Sequence, residues 1–188
     1  MKLELRRQFM HFLFGSAIIA LVTFLEVQKS LFVLITLFIT GLVFSFAIKK
    51  GAKIPVISAI VKKVERNYEK HLPGKGALLF FLGAIITIIL FQEKTIVLGA
   101  LCTVVYGDSA STVFGKKFGK HIIAGKRTWE GTIAGFLAAL FFLSFLFPLQ
   151  IAIITALIGM LAELLPFDDN FTIPIAAGIA LKALAALA

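Results

Sequence analysis

The sequence has little of what a soluble protein needs. Charged residues fill 15% of its 188 positions, where about 25% is usual. Carboxylates are the scarcer sign, 10 against 19 cations. There is a single cysteine, Cys102. One cysteine excludes an internal disulfide, so the chain is no disulfide scaffold. Set in an apolar run, Cys102 reads as a small hydrophobe. What is abundant is apolar. Hydrophobic residues make up 60% of the chain, and the mean hydropathy is +1.00. A core of this size in water cannot bury so much apolar surface. Disorder is excluded for the same reason. The solvent for most of the chain is lipid.

A helical span needs about 17–25 mostly apolar residues. Candidate stretches run 9–25, 31–48, 76–92, 95–114, 131–147, 149–166 and 171–188. They are continuous rather than alternating, which means helices and not a barrel. The fourth turns polar after Tyr106 and carries Asp108, and the last holds Pro174 and Lys182. Lys2, Arg6 and Arg7 ahead of the first stretch imitate a signal peptide. No small-residue cleavage site followed by a soluble domain appears, so this is expected to be an uncleaved first span.

The cations are one-sided. With the N-terminus inside, they gather at Lys2–Arg7, between Lys49 and Lys75, and between Lys116 and Arg127. Only Lys29 and Lys94 fall on the other side, while Lys182 lies within a span. This asymmetry places the N-terminus in the cytoplasm. It also accounts for much of the +9 net charge without a nucleic-acid partner. Between Lys49 and Lys75, Ile57, Ile60, Val61, Val64 and Tyr68 recur at helical spacing with charges between them. That pattern predicts an amphipathic helix, opened near Pro55 and ended by Pro73-Gly74. The expected fold is all-α. It is a polytopic integral membrane bundle of about seven transmembrane helices plus one cytoplasmic amphipathic helix, a single catalytic domain over residues 1–188.

The chemistry concentrates in Tyr106–Gly135, reading YGDSASTVFGKKFGKHIIAGKRTWEGTIAG. Glycines let backbone amides approach an anion, and Lys and Arg bring charge to phosphate oxygens. Asp108 stands at the membrane boundary, where an acid needs a partner. A Mg²⁺ ion bridging it to a nucleotide phosphate would be one. The pairs Gly115…Gly119 and Gly131…Gly135 also have the spacing that packs membrane helices. For the second pair, inside an apolar run, packing is the expected role. For the first, flanked by lysines, packing alone is not enough. Soluble phosphate loops do not fit, because Lys120 lacks the following Ser or Thr.

Glu163–Asn170 reads ELLPFDDN, in which Asp168, Asp169 and Asn170 can ligate a hard cation, or Asp169 or Asn170 simply caps the last helix. Arg7 and His11 share one helical face. Trp129 reads as an interfacial anchor.

Together these motifs resemble the CTP-using membrane lipid kinases: dolichol (polyprenol) kinase, phytol kinase and the CTP-dependent diacylglycerol kinase. The resemblance lies in Arg6, Arg7 and His11; in Gly107-Asp108-Ser109-Ala110 followed by Gly115…Gly119-Lys120; in Arg127-Thr128-Trp129-Glu130-Gly131; and in Asp169-Asn170-Phe171-Thr172-Ile173-Pro174. The Lys126–Gly131 segment is also similar to that of the CDP-diacylglycerol and CDP-archaeol synthases.

The resemblance implies transfer of the CTP γ-phosphoryl group to a lipid alcohol at the cytoplasmic face, with Mg²⁺ as cofactor. The partners implied are CTP, a membrane lipid alcohol and the bilayer. A homo-oligomer is left open. It implies catalytic roles for Asp108, Glu130 and Asp169, with Asp108, Asp169 and Asp168 toward the metal. Glu130 would be a further ligand or the base. Ser109, Gly115, Lys116, Gly119, Lys120, Lys126, Arg127, Thr128 and Asn170 would bind the nucleotide and its phosphates. Arg7, His11 and Glu163 would position the lipid head or a phosphate. Two rival classes stand beside it. One is a cytidylyltransferase making a CDP-lipid from a phosphorylated lipid. The other is a non-enzymatic transporter or scaffold, which would more naturally carry its polar groups near the bilayer midplane.

Overall fold

A computed structural model describes residues 2–52, 54–55, 58 and 72–186 of the chain. Within them the protein is all-helical apart from one small hairpin. Helices α1 (Lys2–Phe24) and α2 (Val27–Lys49) lead to α3 (Lys75–Phe91). Helix α4 (Lys94–Cys102) runs through a π turn, Thr103–Asp108, into α5 (Ser109–Phe118). Strands β1 (Ile122–Ala124) and β2 (Arg127–Thr128) pair antiparallel, Ile122 opposite Thr128. Helix α6 (Trp129–Leu143) follows, then α7 (Leu149–Leu161) with a 3₁₀ turn at Ala162–Leu164, then α8 (Asp169–Ala185).

Three of these helices are long and apolar enough to cross a membrane: Leu3–Phe24, Val27–Lys49 and the continuous Lys94–Phe118. The apolar helices Lys75–Phe91, Trp129–Leu143 and Leu149–Leu164 are shorter. The stretches expected at 131–147 and 149–166 overran the helices because the turns are themselves apolar. Phe145, Leu146 and Phe147 make the turn after α6, and composition alone does not mark a helix end there. The expected amphipathic helix falls almost wholly outside the described residues. At its predicted start, next to Pro55, the Ser58 amide donates to the Ile54 carbonyl at 2.8 Å.

Helix α4 is the axis of the bundle. Every residue from Ile96 to Cys102 is buried. It packs against α1 and α8, and α8 packs in turn on α3 and α7. The core holds Val22, Leu34, Ile88, Val97, Leu101, Val104, Val105, Ile173 and Leu181. Cys102 is buried and free, as its apolar setting predicted. Helices α1 and α2 are peripheral. Phe9, Phe24, Phe32, Val43 and Phe46 lie open on them. An apolar surface of that extent is foreign to a protein in water.

Helix α3 crosses the start of α8 closely. Pro174 has no amide hydrogen to bond the Asn170 carbonyl four residues back. A Cβ at Gly83 would collide with that same carbonyl oxygen. Glycine therefore lets α3 close onto the start of α8. Gly83→Ala is expected to destabilise the fold by at least about 1–3 kcal/mol, the usual range for overpacking. A lowered thermal midpoint in detergent checks this.

Candidate functional site

The two ends of the bundle differ. At one end the starts of α1, α3, α6 and α8 meet the junction of α4 with α5, the end of α7 and the hairpin. These segments enclose a cleft of about 800 Å³. Its polar lining includes Arg7, His11, Asp108, Lys116, Arg127 and Asp169. Its apolar lining comes from Met10 and Phe14 on α1 and from Leu79, Phe80 and Phe81 on α3. Polar groups thus meet apolar walls in one space.

Asp108 ends the π turn. Such wide turns within α-helices are frequent at functional sites. Its carboxylate accepts from Thr112 Oγ1 at 3.3 Å and lies 3.9 Å from His11 Nε2. The His11 ring packs edge-on against Phe80, centroids 4.5 Å apart. His11 Nε2 is buried without a hydrogen-bond partner.

Arg127 has a different setting from the one expected of a phosphate ligand. One arm of its guanidinium donates to Glu163 Oε1 at 2.6 Å, and the other donates to Asp169 Oδ2. Glu163 is fully buried and also accepts from Ser111 Oγ at 2.6 and 2.8 Å. Arg127 therefore ties the hairpin to the end of α7, the start of α8 and, through Ser111, to α5. Burial acts to lower the Arg127 pKa, but the carboxylates of Glu163, Asp169 and Asp108 outweigh it and raise the pKa. Asp169 Oδ1 is buried and finds no partner.

Several expected phosphate ligands turn out to build structure. The Thr128 hydroxyl caps α6 by accepting from the Gly131 amide at 3.3 Å. Gly115 and Gly131 face each other where α5 crosses α6. A Cβ at Gly131 would come within 2.8 Å of the Ser111 carbonyl and 3.0 Å of Gly115 Cα. Gly135 packs on Gly107, Ser111 and Met160. The second glycine pair is therefore a packing pair, as its apolar setting predicted. Gly115 packs and also lines the cleft, whereas Gly119 sits over the Thr128 side chain. Asp168 is the cap of α8. Its Oδ1 accepts from the Asn170 amide at 3.1 Å and from Asn170 Nδ2 at 2.7 Å.

Of the expected residues, Lys126, Thr128, Glu163, Asp168 and Asn170 also line the cleft. Ser109, Gly119, Lys120 and Glu130 do not. Ser109 Oγ is buried without a partner. Lys120 is exposed. Glu130 Oε1 sits 2.7 Å from Nδ1 of the exposed His121 at the base of the hairpin. Trp129 is half-exposed beside it, as an interfacial anchor would be.

The sequence reading missed Glu4, Gln8, Lys75 and Ser111, all of which line the cleft. Spacing marked two of them. Glu4, Gln8 and His11 fall on one helical face with Arg7.

No family model matches the chain. An uncharacterized protein of Methanocaldococcus jannaschii is 28% identical over 174 residues, covering 91% of this chain and 88% of that protein. No solved structure matches.

Proposed function

We propose that this protein is a membrane enzyme that transfers the γ-phosphoryl group of CTP to the hydroxyl of a membrane lipid alcohol. The observation that carries this reading is the amphiphilic cleft. It joins Asp108, Asp169, Arg7, Lys116 and Lys126 to an apolar wall of α1 and α3 residues at one end of the bundle. A nucleotide phosphate suits the polar part and a lipid chain suits the apolar part. In this reading that end is the cytoplasmic face, as the cation asymmetry predicts, and seven helices span, α4 and α5 counting as one. The shorter ones reach because apolar turns such as Phe145–Phe147 extend them.

Phosphoryl transfer depends mostly on positioning and on stabilising charge. Lys116 and Lys126 would neutralise the phosphate oxygens. His11, buried beside Asp108, would hold the lipid hydroxyl in line. Arg127 would keep Asp169 and Glu163 in place rather than bind phosphate. Among the described residues no group of three or more His, Cys, Asp or Glu side chains forms a metal cage. Mg²⁺ bound with a nucleotide needs only one or two carboxylates besides the phosphates. Asp108 and Asp169 supply two, and the unpartnered Asp169 Oδ1 is an oxygen that such an ion would satisfy. When bound, Mg²⁺ would shield the negative charge of the triphosphate. Asp168, committed to its cap, has no part in this, and neither does Glu130.

A pair of assays tests the reading. The full-length protein in lipid is given CTP labelled at the γ or at the α phosphorus, with polyprenol, phytol or diacylglycerol as acceptor. Label is expected to enter lipid from the γ position only. Entry from the α position alone would instead make the protein a cytidylyltransferase, and entry from neither would sink both enzyme readings.

A further inference from the structure

One acid in the cleft takes no part in the reaction as described. Glu4, in the first turn of α1, bridges two cations from different helices. Its Oε1 accepts from Arg7 Nη1 at 2.8 Å, and its Oε2 lies 2.8 Å from Lys116 Nζ on α5. The Glu4 side chain is largely buried, 12% exposed, against 24% for Arg7 and 47% for Lys116. All three line the cleft.

Two cations drawn to one place repel each other unless an anion lies between them. Glu4 supplies that anion from behind. It holds Arg7 by a single arm, and among the described residues no other acid pairs with the rest of the guanidinium fork. The other terminal nitrogen, Nη2, reaches toward the first turn of α3, where a Cβ at Gly76 would stand 3.7 Å from it. The Gln8 side-chain oxygen, buried and without a partner, belongs to the same lining. A guanidinium held on one side and open on the other is suited to a phosphate group.

We infer that Glu4 is a positioning residue, which preassembles Arg7 of α1 and Lys116 of α5 into a two-cation seat for a phosphate group. The natural occupant follows from the proposed function, the phosphate tail of CTP. The seat itself is tested with an inorganic ion. The charge of Glu4 repels that same phosphate at longer range, so the inference requires the positioning gain to outweigh the repulsion.

The experiment is calorimetric titration of inorganic tripolyphosphate into the full-length protein in nanodiscs of zwitterionic lipid. Glu4→Gln is expected to weaken binding roughly tenfold, the value of about one well-formed charged hydrogen bond. Glu4→Asp, which keeps the charge, is expected to recover part of the loss. In turnover, Glu4→Gln is expected to raise the KM for CTP with kcat little changed, while the thermal midpoint stays near that of the parent. Should Glu4→Gln not fold, Lys116→Gln, altering a half-exposed side chain, is expected to weaken tripolyphosphate by a similar factor. A water-soluble lipid phosphate, dioctanoyl phosphatidic acid, is titrated alongside. A loss confined to tripolyphosphate assigns the seat to the nucleotide, and a loss confined to the lipid phosphate assigns it to a headgroup. Affinity for both probes that is unchanged or tighter in Glu4→Gln would overturn the inference, as would a parent protein that binds neither probe. Failure of label transfer with tripolyphosphate binding intact would sink the CTP reaction and leave the seat standing.

Discussion

Asp108→Asn is expected to leave the fold intact and to lower CTP-dependent label transfer by roughly a hundred- to a thousandfold, the usual effect of removing one charge-stabilising group at a reacting centre. The fold survives because Asp108 anchors little. Among the described residues its polar contacts are one long hydrogen bond from Thr112, at 3.3 Å, and the approach of His11 at 3.9 Å. An amide can keep the first. Transfer fails because the amide has no charge to hold a cation against the triphosphate. Turnover at fixed Mg²⁺, read with the thermal midpoint, separates the two effects. Full activity in a folded Asp108→Asn protein would remove the proposed reaction.

Arg127→Gln is expected to act through stability rather than through nucleotide affinity. Arg127 is the cation opposite Glu163, whose side chain is fully buried. Losing one partner of a buried pair strands the other charge, at roughly 3–5 kcal/mol. A large fall in thermal midpoint should follow, with the hairpin and the start of α8 released together. The double variant Arg127→Gln with Glu163→Gln is expected to recover much of the loss, because it removes the stranded charge as well as its partner. A phosphate-binding arginine would behave differently, raising the KM for CTP without moving the midpoint. Arg127→Lys tests the geometry. A lysine cannot donate two parallel bonds to two carboxylates, so it is expected to fall between Arg and Gln.

Parts of the site were legible before any coordinates. Asp108, Lys116, Lys126 and Arg127 stand in one polar stretch, and Asp169-Asn170 in another. The cation asymmetry predicts that they share one side, the cytoplasmic one. Sequence alone does not separate roles wherever one residue type serves two purposes. A basic side chain in a glycine-rich stretch looks the same whether it faces a phosphate, as proposed for Lys116, or two buried carboxylates, as Arg127 does. Thr128 and Asp168 have oxygens suited to ligands, yet both cap helices. The hairpin at Ile122–Thr128 was also not anticipated. Its strands are short, and strand signals that brief do not rise above loop.

By itself the sequence determined the helical class and the approximate positions of the apolar segments. Those properties follow from local composition: a long apolar run must be helical wherever lipid leaves its backbone no other hydrogen-bond partner. Tertiary structure alone decided which polar groups meet and which are already satisfied by one another. Glu4 and Lys116 are far apart in the chain and 2.8 Å apart in space. Arg127 meets Glu163 and Asp169 only because α7 and α8 bring their ends to the hairpin. Ion pairs of this kind depend on distance and burial, and neither is a property of any one segment.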